Sequence, residues 1–191
     1  VFLLDTSLSE HPERFGIDVA LLRAILERSS TIQRFNVVTF DAGARWLQPQ
    51  WVTNDAAGRT HVLELLDDVL LEGATDLSAA LDALHTPPMR DAAGSSADVF
   101  VLSDGQITWG ERDLPTVMRA RTSPWAATRT FAYRTGLGAE NTDLLRRVAG
   151  GGVFNCLSIE SVPGCAVAAA VCGAGYFCSG LRGCIDRRSE E

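Results

Sequence analysis

The sequence contains no lysine: all 17 of its basic residues are arginine. That absence disfavours chemistry built on a lysine ammonium, including P-loop nucleotide binding, Schiff-base catalysis and many phosphoryl transfers. No apolar run reaches the roughly 18 to 20 residues that a membrane helix needs, so membrane insertion by this segment is not expected. No G-x-S-x-G element occurs, which removes the usual serine-hydrolase reading of an α/β sheet. Histidine is scarce, and His11, His61 and His85 lie far apart without metal-ligand spacing. The chain opens without Met and without the basic, apolar and cleavage regions of a signal peptide. It is therefore expected to be a piece of a longer, multidomain polypeptide.

Positive charge is also in deficit. The formal net charge is -7 and the pI is near 5.0, so a nucleic-acid backbone or an anionic membrane would meet repulsion. Cations and cationic partners fit better. With 191 residues, 46% hydrophobic and 21% charged, the chain is long enough for one domain with a real core and a short appendage, but not for two full domains. The expected division is a domain over 1–160 and a cysteine-containing helix or tail over 161–191.

Apolar patterning predicts the elements. Val1 to Leu4 reads as a strand buried on both faces, ending at Asp5. Arg14 to Arg28 reads as an amphipathic helix with Phe15, Val19, Leu22, Ile25 and Leu26 inward. Phe35 to Phe40 and Arg45 to Val52 read as neighbouring strands around the Asp41-Ala42-Gly43 turn. Helices are predicted over Ala57 to Leu71, Asp76 to Leu84, Arg112 to Arg121 and Asn141 to Val148, with a loop over Pro87 to Ala97. Further strands are predicted over Asp98 to Ser103, Arg129 to Tyr133 and Val153 to Leu157. Such alternation implies a doubly wound, mostly parallel α/β sheet with helices on both faces, a Rossmann-like arrangement that binds ligands at the carboxyl ends of its strands.

Three segments fall at that edge: Asp5-Thr6-Ser7-Leu8-Ser9, Gly73-Ala74-Thr75-Asp76 and Ser103-Asp104-Gly105. Each alone is ordinary. Asp and Ser are common caps between strand and helix, Thr75-Asp76 suits a helix start, and Asp104-Gly105 suits a turn. All three in this order at one edge form a stronger pattern. Together they resemble the metal-ion-dependent adhesion site (MIDAS) of the von Willebrand factor type A (vWA) family, which reads D-x-S-x-S, then a Thr after a Gly-containing turn, then an Asp ending a later strand. The resemblance covers about Val1 to Leu157. It is strongest to the bacterial and inter-alpha-trypsin-inhibitor-like branch, in which the last motif commonly reads S-D-G.

The resemblance implies one divalent cation, Mg²⁺ with Mn²⁺ or Ca²⁺ as alternatives, at Asp5, Ser7, Ser9, Thr75 and Asp104. Ser7 and Ser9 would bind it through their hydroxyls and Thr75 directly or through water. Asp5 and Asp104 would act largely through water and as acceptors that orient the hydroxyls. Leu8 departs from the Gly found there in many members. With Asp76 and Trp109 it is expected to form the ligand-facing rim. Hard cations prefer oxygen donors, and an ion held mainly by neutral hydroxyls stays short of negative charge. A protein partner with an exposed Asp or Glu can supply it.

The cysteines leave two readings open. Cys165, Cys172, Cys178 and Cys184 lack the C-x2-C pairs of zinc sites and suit a small disulfide framework, which would indicate an extracytoplasmic location. Alternatively, Val162 to Val171 is a final apolar helix with Cys165 as a buried small residue. Two other functional classes also stand beside a non-enzymatic binding module. One is a metal-assisted phosphohydrolase with Asp5 as nucleophile, but Ser7 stands where a second carboxylate should be and lysine is absent. The other is a scaffold whose metal is purely structural.

Overall fold

In the computed structural model of the chain, the described residues are 1–89, 96–113, 127–135, 141–149, 152–156, 159, 162, 163, 166, 176–179 and 183–186. The elements run β1 (Phe2–Asp5), a 3-10 turn (Leu8–Glu10), α1 (His11–Arg28), β2 (Arg34–Phe35), β3 (Val37–Phe40), β4 (Ala44–Trp46) and β5 (Val52–Thr53). They continue with α2 (Ala56–Asp67), α3 (Leu77–Ala83), β6 (Ser96–Leu102), β7 (Ala127–Thr135), α4 (Thr142–Val148), β8 (Gly152–Cys156), β9 (Tyr176–Ser179) and β10 (Gly183–Asp186).

Six strands form one sheet in the order β4-β3-β1-β6-β7-β8, parallel throughout except for β4 at one edge. β1 sits inside the sheet, with Leu3 opposite both Val38 and Val101. This explains its uninterrupted apolar run, because both faces of the strand are covered. Successive residues serve two cores. Phe2 and Leu4 pack with α1 and α2, whereas Val1 and Leu3 pack with α3 and α4. Val162 and Ala166 join the first core. On that face aromatic rings step across the strands, with centroids 4.8 Å apart for Phe2–Phe100, 5.4 Å for Phe100–Phe131 and 6.2 Å for Phe131–Phe154. Neighbouring rings on parallel strands couple the strands beyond their backbone bonds. The architecture is the doubly wound sheet expected.

Several boundaries differ from the sequence reading. Phe35 to Phe40 is not one strand. Asn36 is buried between β2 and β3, where its Nδ2 donates to the carbonyls of Gln48 (2.8 Å) and Gln50 (3.1 Å) and its Oδ1 accepts from Val37 N–H (2.8 Å). These bonds stop the ladder, so β2 instead pairs with β5 in a separate two-stranded ribbon. The strand expected over Arg45 to Val52 divides accordingly into β4, antiparallel to β3, and β5. α2 ends at Asp67, four residues before the apolar pattern does, and leaves Leu70 72% exposed. The loop expected over Pro87 to Ala97 gives way to β6 at Ser96.

The inward face of α1 is rotated from the expected one. Arg14, Ile17, Asp18, Leu21, Leu22, Ile25 and Leu26 are buried, and Phe15 and Val19 are only half-buried. Arg112 and Asp113 are not helical, and the remainder of the helix expected to Arg121 lies outside the described residues, as do Cys165 and Cys172. β9 and β10 form an antiparallel hairpin in which Cys178 lies opposite Cys184. Among the described residues no helix is long and apolar enough to cross a membrane.

Candidate metal site

β1 and β6 are adjacent and parallel, so both chains leave the sheet at the same edge. Asp5 and Asp104 thereby arrive together from positions 99 residues apart in sequence. The Asp5 carboxylate is tied on both oxygens: Oδ1 accepts from Ser7 N–H (3.0 Å) and Oδ2 from the Ser103 hydroxyl (2.7 Å). It therefore ties the Ser7 loop to Ser103 of the Ser103-Asp104-Gly105 segment. Asp104 Oδ1 accepts from Gln106 N–H (2.8 Å), and Oδ2 from Arg14 Nη1 (3.0 Å).

A second set of bonds carries Thr75 to the same place. The loop after α2 is laced to the β1 loop by Glu72 N–H to Thr6 O (3.0 Å) and Leu8 N–H to Gly73 O (3.2 Å). From the other side, Thr75 N–H donates to the Thr108 hydroxyl (2.8 Å), and Thr75 O accepts from Thr108 and Trp109 N–H (3.1 and 3.2 Å). Three hydroxyls consequently meet. Thr75 Oγ1 donates to Ser7 Oγ at 2.8 Å, and Ser7 Oγ lies 3.0 Å from Ser9 Oγ.

The glycine of Ser103-Asp104-Gly105 has a structural cause. Gly105 has φ +73°, and a Cβ there would lie 2.9 Å from the Asn141 carbonyl oxygen and the Leu145 side chain of α4. Only glycine tolerates that combination of turn and close approach.

Of the expected rim, Leu8 and Trp109 are 65% and 60% exposed. Asp76 behaves differently. Its Oδ1 accepts from Ala79 N–H (3.0 Å) and the Ser78 hydroxyl (2.6 Å), making it the N-cap of α3. Gly110 packs directly on that carboxylate.

The sequence reading missed Glu10, Arg14 and Asp18. Glu10 Oε1 accepts from Asp104 N–H (3.2 Å), and one oxygen each of Asp5, Glu10 and Asp104 lies within 4.8 Å of the others. A visible signal existed: Arg14 and Asp18 stand four positions apart and share a helix face with Ile17, Leu21, Leu22 and Ile25, and Glu10 stands four positions before Arg14. Burial raises the Asp5 pKa to about 6, opposed by the bonds from Ser103 and Ser7 and assisted by the charge of Asp104. Burial first, then the charges of Asp18, Asp5 and Asp104, holds Glu10 well above the carboxyl range. Burial likewise raises Asp18.

These donors fit a hard cation. Adjacent oxygens around an octahedral ion bound at about 2.0–2.1 Å are themselves about 2.9 Å apart, and the hydroxyls of Ser7, Ser9 and Thr75 already have that spacing. The carboxylates alongside would otherwise be buried without enough positive charge.

A sequence model of the von Willebrand factor type A domain matches residues 1–106, more than half of the chain. The chain belongs to the vWA family. No curated protein matches it in sequence. Among solved structures it is similar to a von Willebrand factor type A protein from Catenulispora acidiphila, with TM-score 0.73 and 18% identity over 92% of this chain and 42% of that one. Proximal thread matrix protein 1 from the mussel byssus, with zinc at its MIDAS motif, gives TM-score 0.64 and 14% identity over 88% and 46%. The pilus adhesin SpaC from Lactobacillus rhamnosus GG gives TM-score 0.64 and 12% identity over 88% and 29%. At such identities the likeness concerns the fold. This vWA chain spans less than half the length of those three proteins.

Proposed function

We propose that this vWA domain is a metal-ion-dependent protein-binding module that presents one divalent cation to an Asp or Glu of a partner protein. The observation that carries the reading is the triad of Ser7, Ser9 and Thr75 hydroxyls at 2.8–3.0 Å beside the carboxylates of Asp5, Glu10 and Asp104. Ser7, Ser9 and Thr75 would hold the ion, and Asp5 and Asp104 would act through water. Asp5 holds the loop by Ser7 N–H, and Arg14 holds Asp104. When bound, Mg²⁺, or Mn²⁺ or Ca²⁺ in its place, supplies a Lewis-acidic position that a carboxylate oxygen can complete. Leu8 and Trp109 would flank that position as exposed apolar rim.

A non-catalytic role is favoured because Asp5 has both oxygens engaged by its own loop and by Ser103, which leaves it poorly placed as a nucleophile. Residues 161–191 would be an appendage, and an extracytoplasmic location is supported by the pilus and byssus proteins that share the fold. Calorimetric titration with Mg²⁺ and Mn²⁺ tests the site: binding should be lost in Asp5→Ala and Asp104→Ala. Partner capture should vanish in chelator. Metal binding undiminished in both variants, or capture indifferent to chelator, would defeat the reading, and metal-dependent phosphatase activity abolished by Asp5→Asn would replace it with the hydrolase.

A further inference from the structure

Arg14 and Asp18 line the face of α1 turned toward the sheet, Glu10 closes the 3-10 turn just before α1, and all three are buried. With Asp5 and Asp104 they place four carboxyl groups and one guanidinium in a region closed to water. The Arg14 guanidinium is directed at the outer part of this cluster, with Nη1 3.0 Å from Asp104 Oδ2 and 3.3 Å from Ser9 O. Its Nε lies 3.9 Å from Glu10 Oε2, beyond hydrogen-bond reach. Deeper in, four oxygens have no hydrogen-bond partner: Glu10 Oε2, Asp18 Oδ1, Asp18 Oδ2 and Thr135 Oγ1 at the end of β7. Thr135 and Glu10 lie close enough to Asp18 to act on its ionisation as hydrogen-bonding neighbours, yet these four oxygens have no partner at full hydrogen-bond geometry. Buried polar atoms are nearly always satisfied, so four orphaned oxygens in one region imply a missing occupant.

We propose that Glu10 Oε2, both Asp18 oxygens and Thr135 Oγ1 form an inner cation site behind the Ser7, Ser9 and Thr75 hydroxyls, joined to them through Glu10, and that it takes a second hard divalent cation. The donors are all oxygen, and three of the four belong to carboxylates, which is the preference of Mg²⁺, Mn²⁺ and Ca²⁺. The inner site deepens the proposed function and rests on its outer metal.

Mn²⁺ titration of the chain without partner, near pH 8, tests the inner site by calorimetry and electron paramagnetic resonance. Two ions should bind the native chain and broaden each other's spectra. Asp18→Asn, which keeps shape and removes charge, should bind one ion without broadening, and Thr135→Val should weaken the same step by tenfold or more. The double variant Ser9→Ala/Thr75→Ala should keep the inner ion alone. A single ion that survives Asp18→Asn and is lost in Asp104→Ala overturns the inner site and leaves the outer one standing. A single ion lost in Asp18→Asn and kept in Ser9→Ala/Thr75→Ala supports the inner site and overturns the outer. No bound Mn²⁺ overturns both.

Discussion

Arg14 on α1 and Asp104 beyond the end of β6 form a buried ion pair, with Nη1 3.0 Å from Oδ2 and side chains only 9% and 2% exposed. Removing one partner of a buried pair leaves the other charge uncompensated, typically at a cost of about 3–5 kcal/mol. Arg14→Met should therefore lower the unfolding free energy of the metal-free domain, read from its urea titration, by an amount in that range. Mg²⁺ should restore part of the loss, because the ion neutralises the carboxylates that Arg14 served. An unchanged midpoint in chelator would show that the pair contributes nothing.

The buried carboxyls set a pH dependence. Asp5 is raised to about 6, and Asp18 and Glu10 are raised as well, in each case chiefly by burial. A carboxyl whose pKa is higher folded than unfolded binds its proton more tightly in the folded state. Its stabilising contribution is complete below the ordinary value of about 4 and is lost as pH rises through the folded value. The melting temperature in chelator should accordingly fall between about pH 4 and the alkaline side of neutrality. Asp18→Asn, neutral throughout, should match the native protein at acid pH and exceed it near pH 9. Identical curves for the two proteins would contradict this. Metal affinity should rise with pH through about 6, since a proton on Asp5 opposes the ion.

Thr75 is held by Thr108 and Trp109, and that turn closes over Asp76 through Gly110 at φ +69°. Gly110→Ala sets a methyl against the Asp76 carboxylate in a backbone conformation alanine rarely adopts. Destabilisation of about 1 kcal/mol or more is expected, with weaker metal binding as Thr75 is displaced. Thr75→Ala should weaken partner binding more than metal binding if its hydroxyl joins the ion as the partner arrives. Equal losses in both would remove that linkage.

Cys178 and Cys184 are register partners in the β9–β10 pair. Opposed residues of an antiparallel pair have Cα atoms about 4.5–5.5 Å apart, inside the range a disulfide spans. In protein from its native source, mass spectrometry without reductant should find a peptide pair linked through these two residues. Free alkylation of both would count against the bond and against the extracytoplasmic assignment.

The sequence alone determined the strand order of roles. Val1 to Leu4 and Val99 to Leu102 are apolar without a break because both faces of a central parallel strand are covered, and each run ends near an Asp at the carboxyl edge. The same ends of β1 and β6 marked Asp5 and Asp104 as edge residues, and the spacing of Ser7, Ser9 and Thr75 pointed to the hydroxyls that meet there. Tertiary structure decided what local pattern could not. Asn36 breaks a strand because it bonds the carbonyls of Gln48 and Gln50, a dozen or more residues away. Asp76 caps α3. Glu10, Arg14 and Asp18 turn inward although charge in an amphipathic helix ordinarily marks the solvent face. Their burial depends on Asp104 and Thr135, more than 85 residues along the chain, whose polar groups converge on α1 only after the sheet has assembled.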